Sequence, residues 1–144
     1  MEEFNFSLQK VLDYRLQVED QVKGHFAEVN RLENEKNTEL DQVMQEKDSM
    51  METPQFSVSR MQVTRRYIQA LNDQIMICHD QLLGLQAQKE QIRSELIEAQ
   101  KQRKILERLK TKQLAQYQKE LAREEQKQLD DFHRPQQNVN IALP

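Results

Sequence analysis

The sequence predicts an all-α protein: a long antiparallel two-helix coiled-coil hairpin whose C-terminal helix is longer than its N-terminal one. Two observations carry this expectation. Apolar residues recur at heptad spacing along most of the 144 residues, and the only helix-breaking point inside the chain is Thr53-Pro54-Gln55. A seven-residue repeat keeps one narrow seam turned towards a partner helix, and a single interruption folds that seam back on itself.

The first helix is expected over about residues 5–52. Its seam reads Phe4, Leu8, Val11, Arg15, Val18, Val22, His25, Val29 and Leu32, continued less regularly by Leu40, Val43 or Met44, and Met50. Thr53 stands before a proline and is pushed towards extended geometry, which stops the helix. A bend over about 53–58 follows.

The second helix is expected over about 59–132. Ser59-Arg60-Met61-Gln62 has the Ser-x-x-Gln spacing of a capping box, in which side chains satisfy the free amides of a helix start. Beyond it the series Ile68, Leu71, Ile75, Cys78, Leu82, Leu85, Lys89, Ile92, Leu96, Ala99, Arg103, Leu106 alternates steps of three and four. Arg134-Pro135 is expected to end the helix. Residues 1–134 thus read as one hairpin domain and 135–144 as a flexible polar tail.

With the bend near Pro54 to Ser57, residue i of the first helix is expected beside residue 110 − i of the second. Phe26 then faces Gly84, with Gly24 at nearly the same height; the other reading is that both are tolerated surface glycines or mark a local bend. The helices would be about 70 Å and about 110 Å long at 1.5 Å per residue. The first ends beside Leu106, so roughly 25 residues of the second are expected to project alone. The seam residues are the same for a hairpin closed within one chain and for a swapped dimer.

Composition agrees with a thin structure. Hydrophobic residues make up 37% of the chain, with no Trp and two Gly, which does not suggest a thick core. The single cysteine, Cys78, lies on the seam and reads as a small buried hydrophobe; a reactive or ligating thiol is the other reading. No signal-peptide pattern and no run of 18 apolar residues occurs, so the chain is expected to be cytosolic and not membrane-spanning.

Nothing in the sequence has the layout of an active site. It has no Gly-rich phosphate loop and no nucleophile elbow, and His25, His79 and His133 are scattered rather than set at metal-ligand spacing. Carboxylates are plentiful but fall on convex, wet helix faces, where an acid/base pair is not tuned. Neither enzymatic activity, a cofactor nor a metal is expected.

Charge is unevenly placed. Residues 1–53 carry −7, residues 54–100 are neutral, and residues 101–144 carry +4. Residues 101–119 hold Lys101, Arg103, Lys104, Arg108, Lys110, Lys112 and Lys119 against Glu107 alone. An acidic first helix beside a second that turns basic favours pairing. The basic run itself reads as a site for an acidic protein surface, as a solvated face, or as a nucleic-acid contact. Against the last stand the acidic chain, the lack of any nucleic-acid motif and the absence of interleaved stacking aromatics, so no nucleic-acid partner is expected.

Both ends of the chain carry a family resemblance. Phe4-Asn5-Phe6-Ser7-Leu8-Gln9-Lys10-Val11-Leu12-Asp13-Tyr14-Arg15, with Glu19 following, resembles the F-x-F-x-L-x-x-V-L-x-x-R…E opening of the FliJ family of flagellar export proteins. Lys104, Leu106, Glu107, Leu109 and Lys110, then Tyr117, Glu120, Glu125-Gln126-Lys127, Leu129 and Asp130, resemble that family's C-terminal K-x-L-E-x-L-K…Y-x-x-E…E-Q-K-x-L-D pattern. Where members commonly continue Asp-Glu, this chain has Asp130-Asp131-Phe132.

The resemblance implies a non-enzymatic component of the flagellar type III export apparatus, similar to the central stalk of rotary ATPases. Implied partners are the flagellar export ATPase hexamer, the cytoplasmic domain of the export gate, and export chaperones; the implied place is the cytoplasm, peripheral to the inner membrane through protein partners. Implied ATPase contacts are Phe4, Phe6, Lys104, Arg108, Lys110 and Lys112, with Phe4, Phe6 and Leu8 bracing against Leu106 and Leu109. Implied export-gate contacts are Leu40, Met44, Tyr67 and Leu71, although aliphatic residues at that spacing also serve to close the seam. Two other readings stay open: the stalk protein of a virulence type III secretion system, and a coiled-coil scaffold whose 107–133 overhang pairs with another copy.

Overall fold

The computed structural model describes residues 2–133, which form two helices and no strand. Helix α1 spans Gln9–Glu52 (44 residues) and α2 spans Val58–His133 (76 residues). The tail expected over 135–144 lies outside the described residues. Pairs across the hairpin step down α2 as they step up α1, with Glu33 on Lys89, Glu39 on Cys78 and Glu46 on Tyr67. The fold is therefore an antiparallel two-helix hairpin with the C-terminal helix the longer.

Local chemistry sets the helix ends. Residues 3–6 have no regular structure and Ser7-Leu8 form a turn. The Gln9 amide donates to the Phe6 carbonyl at 3.0 Å, so α1 opens at Gln9 rather than near Asn5. At its other end, Thr53 Oγ1 donates to the Ser49 carbonyl at 2.8 Å and satisfies one of the orphan carbonyls of a helix C-terminus. The cap of α2 is Ser57, not Ser59: its Oγ accepts from the Arg60 amide at 3.2 Å, and its carbonyl takes the Met61 amide at 2.9 Å. Ser57 comes first after Pro54 and already has the three-residue spacing a cap needs, which places Ser59 inside the first turn.

The chain packs as two compact units: Val18–Ala99, and the described residues of Met1–Gln17 with those of Gln100–Pro144. In the first of these, the α2 series from Ile68 to Ala99 is buried or half-buried at every position, as its spacing predicts. Leu40, Cys78 and Leu82 form the core, with Ile75 packed against them. Val29, Val43, Leu71 and Ala99 are also buried. Removing a buried leucine from such a strip costs about 2–5 kcal/mol elsewhere, and a two-helix seam that can collapse lies at the low end.

The α1 seam runs one residue out of phase with the expected one at alternate positions. The residues turned inwards are Glu19, Val22, Phe26, Val29, Glu33, Lys36, Leu40, Val43, Lys47 and Met50, again in steps of three and four. His25 and Leu32, expected on the seam, are exposed, as are Leu8 and Val11 nearer the N-terminus. At two of these positions the cause is polarity: Glu19 and Glu33 face inwards, while an apolar neighbour, Val18 or Leu32, stands one residue earlier. Glu19 is buried, with Lys23 Nζ at 3.2 Å one turn along.

Side-chain contacts also correct the register. Glu46, expected beside residue 64, meets Tyr67; Glu33, expected beside residue 77, meets Lys89. Phe26 does not face Gly84, and its ring lies 5.9 Å from both Lys89 Nζ and Arg93 Cζ. Helical side chains lean towards their own N-terminus. In an antiparallel pair, α1 side chains lean away from the bend and α2 side chains lean towards it, which moves each contact along by only about one residue per helix; the larger part of the shift at Glu33–Lys89 is a displacement of the backbone register itself. Both Gly24 and Gly84 have open space where a Cβ would stand.

In the other unit, Phe6 and Leu12 are buried, with Leu106, Leu109, Gln113, Leu114 and Tyr117 half-buried along α2. The N-terminal segment meets α2 at Glu2 and Phe4: the Tyr117 hydroxyl donates to the Glu2 carbonyl at 2.6 Å, and the Phe4 and Tyr117 rings are 5.6 Å apart. The N-terminal segment thus reaches Tyr117, and the stretch of α2 left uncovered is shorter than the 25 residues expected. From Glu125 to His133 every residue is exposed.

Candidate partner-binding surfaces

The basic run of α2 divides once its neighbours are placed. Arg103 Nη1 pairs with Glu107 at 2.8 Å, and Lys110 Nζ donates to Gln9 Oε1 at 2.7 Å across the helix pair. Lys104, Arg108 and Lys112 are exposed, and no ion pair among the described residues engages them. Their i, i+4, i+8 spacing puts them on one row of the helix, about 12 Å from end to end. Thr111 and Ala115 leave a shallow groove beside this row. It offers three unpaired cations in line, suited to acidic or polar loops that contact a helix side-on.

Three of the six expected ATPase contacts differ in kind from these cations or lack their freedom. Phe6 is buried, Phe4 is half-buried on Tyr117, and Lys110 is held by Gln9. These three position the N-terminal segment and leave Lys104, Arg108 and Lys112 as the open surface. Leu8 is more than a third exposed and does not brace the segment as expected.

The expected gate contacts divide in the same way. Leu40 and Leu71 are buried in the unit Val18–Ala99, so their side chains are occupied by the hairpin itself. Met44 and Tyr67 are each 42% exposed. The Tyr67 hydroxyl donates to the Glu46 carboxylate, and that hydrogen bond and negative charge raise the phenol above its ordinary pKa. Sequence periodicity alone had no means of separating these pairs, because all four residues fall at plausible seam positions.

Elsewhere, Arg31 is bidentate on Glu28 and also pairs with Glu35, an exposed ladder that lowers the Glu28 pKa through the hydrogen bond first and the charge second. Cys78 is enclosed, its Sγ lying 3.8 Å from Glu39 Oε1. Among the described residues no three His, Cys, Asp or Glu side chains gather as metal ligands would.

Two long helices joined along a narrow, partly polar seam define an all-α protein of the antiparallel coiled-coil hairpin class. The chain belongs to the FliJ family: the family described as Flagellar FliJ protein matches residues 4–138, which takes in both end motifs. Membership makes it a flagellar export-related protein of a non-catalytic family. No curated protein and no solved structure matches the chain.

Proposed function

We propose that this protein acts as a central-stalk-like, non-enzymatic component of the flagellar type III export apparatus. It binds the export ATPase hexamer, connects it to the cytoplasmic domain of the export gate and handles export chaperones, working in the cytoplasm beside the inner membrane through those protein partners. The observation that carries the reading is the row of unpaired cations Lys104, Arg108 and Lys112, which a ring of acidic or polar loops can engage without a fixed stoichiometry. Met44 and Tyr67 are the residues free to meet the gate.

The test is ATP hydrolysis by the cognate export ATPase with and without this protein, together with the light-scattering mass of the complex. Stimulation at substoichiometric ratios with ring formation is expected. Lys104→Glu, Arg108→Glu and Lys112→Glu should weaken binding stepwise and flatten its salt dependence. Absence of binding and stimulation, with the chain associating only with itself, overturns the reading.

A further inference from the structure

The bend exposes more apolar surface than the hairpin needs. Phe56 is 91% exposed and Val58 71%, and Met51, Met61 and Val63 are each more than half exposed. All five fall within thirteen residues, whereas Phe132 and Leu129, the exposed apolar residues near the far end of α2, stand among charged neighbours. Single exposed apolar side chains are ordinary, and a cluster of this size marks a contact surface.

The cluster surrounds the tip. It draws on the last turn of α1, the bend and the first two turns of α2, and Met61 and Val63 are two residues apart, so they point about 200° apart around the helix. A groove on a folded protein covers one side of such a tip. A fluid apolar medium covers every side.

The charges next to the tip are cationic. From Thr53 to Asn72 there is no Asp or Glu, and Arg60, Arg65 and Arg66 are exposed with no ion pair among the described residues. The bordering acids are Asp48 and Glu52, at the end of α1. With α2 entering end-on, the three guanidinium groups sit within about 12 Å of its first residue, near the depth at which apolar side chains meet phosphate headgroups. No helix among the described residues is long and apolar enough to cross a membrane, so the contact is shallow.

We propose that the bend of this hairpin inserts Met51, Phe56, Val58, Met61 and Val63 into the interface of a bilayer carrying anionic headgroups, which Arg60, Arg65 and Arg66 engage. This is a direct lipid contact, separate from any protein-mediated one.

The chain contains no tryptophan, so Phe56→Trp gives a single fluorescent reporter. Its emission should shift to the blue on adding phosphatidylcholine vesicles that contain phosphatidylglycerol, much less with phosphatidylcholine alone, and the shift should reverse with salt. Phe132→Trp should not shift. In vesicle sedimentation of the otherwise unaltered chain, Phe56→Ser should weaken binding about tenfold. Each of Arg60→Gln, Arg65→Gln and Arg66→Gln should weaken it about fivefold. Circular dichroism should show these exposed substitutions leaving the helices intact. Unchanged Phe56→Trp emission on anionic vesicles overturns the proposal. So does a blue shift that grows with protein concentration in the absence of lipid, which would assign the tip to a second copy. Binding retained in the triple arginine variant but lost in Lys104→Glu/Arg108→Glu would move the contact to other residues and overturn it as well. None of these failures bears on ATPase stimulation, which is read on different residues.

Discussion

Glu33 of α1 and Lys89 of α2 meet across the hairpin at 3.2 Å, with only 15% and 24% of their side chains exposed. They occupy inward positions where an apolar pair would ordinarily stand. A half-buried pair of this kind fixes alignment, because a slip of one heptad leaves both charges unmatched.

Glu33→Gln should therefore destabilise the chain by about 1 kcal/mol, since it leaves the lysine poorly matched. The double change Glu33→Leu/Lys89→Leu should be at least as stable as the parent, because apolar side chains at these positions add to the seam. Urea unfolding followed by circular dichroism measures both. A double variant that loses stability, with a neutral Glu33→Gln, would mean that the pair does not sit on the seam.

Gly24→Ala and Gly84→Ala should each stabilise the hairpin by about 1 kcal/mol, because alanine is the better helix former and nothing stands where either Cβ would go. The two effects should add, since the positions share no contact. A fall in melting temperature in Gly84→Ala would show that helix propensity does not govern that position.

Tyr67 should titrate above pH 10, and Glu46→Gln should bring it back towards that value. The sign follows from the raised pKa: the neutral phenol is favoured in the folded chain, so the contribution is complete below pH 10 and disappears as pH rises through the folded value. Ultraviolet difference spectra of phenolate formation, compared between the parent and Glu46→Gln, decide it. Coincident curves would mean that the hydroxyl and carboxylate do not meet in solution.

Phe6→Ala should cost roughly 3 kcal/mol, whereas Leu8→Ala, at an exposed site, should cost no more than about 0.5 kcal/mol. The loss should appear as faster amide exchange at Gln9 and Leu12, whose bonds to Phe6 and Leu8 start the helix. Equal exchange in the two variants would place the anchor elsewhere.

The second helix was legible almost residue by residue, because Ile68 to Ala99 supplies an apolar or small residue at nearly every inward position. The first helix was legible at alternate positions, with Val22, Val29, Leu40, Val43 and Met50 turned inwards as expected. Its inward positions hold Glu19, Glu33, Lys36 and Lys47, and a search for apolar side chains settles on the row beside them. Register escaped for a different reason: counting back from the bend does not fix how far two helices are displaced along each other, and the lean of side chains adds only about one position on each. For the candidate surfaces, the basic run was visible as a run. Knowing that Lys110 is engaged while Lys104, Arg108 and Lys112 are free requires knowing where Gln9 lies.

The pairs that close this hairpin are separated by 21 residues at Tyr67–Glu46, 39 at Cys78–Glu39, 56 at Lys89–Glu33 and 115 at Tyr117–Glu2. The entropy lost in closing a loop grows with its length, and each inner pair shortens the loop that the next must close. The contact at Tyr67–Glu46 therefore closes the shortest of these loops and the N-terminal segment on Tyr117 the longest, with the larger entropy cost. A partner arriving at the chain ends meets the contacts of widest sequence separation, while one arriving at the bend meets those of the narrowest.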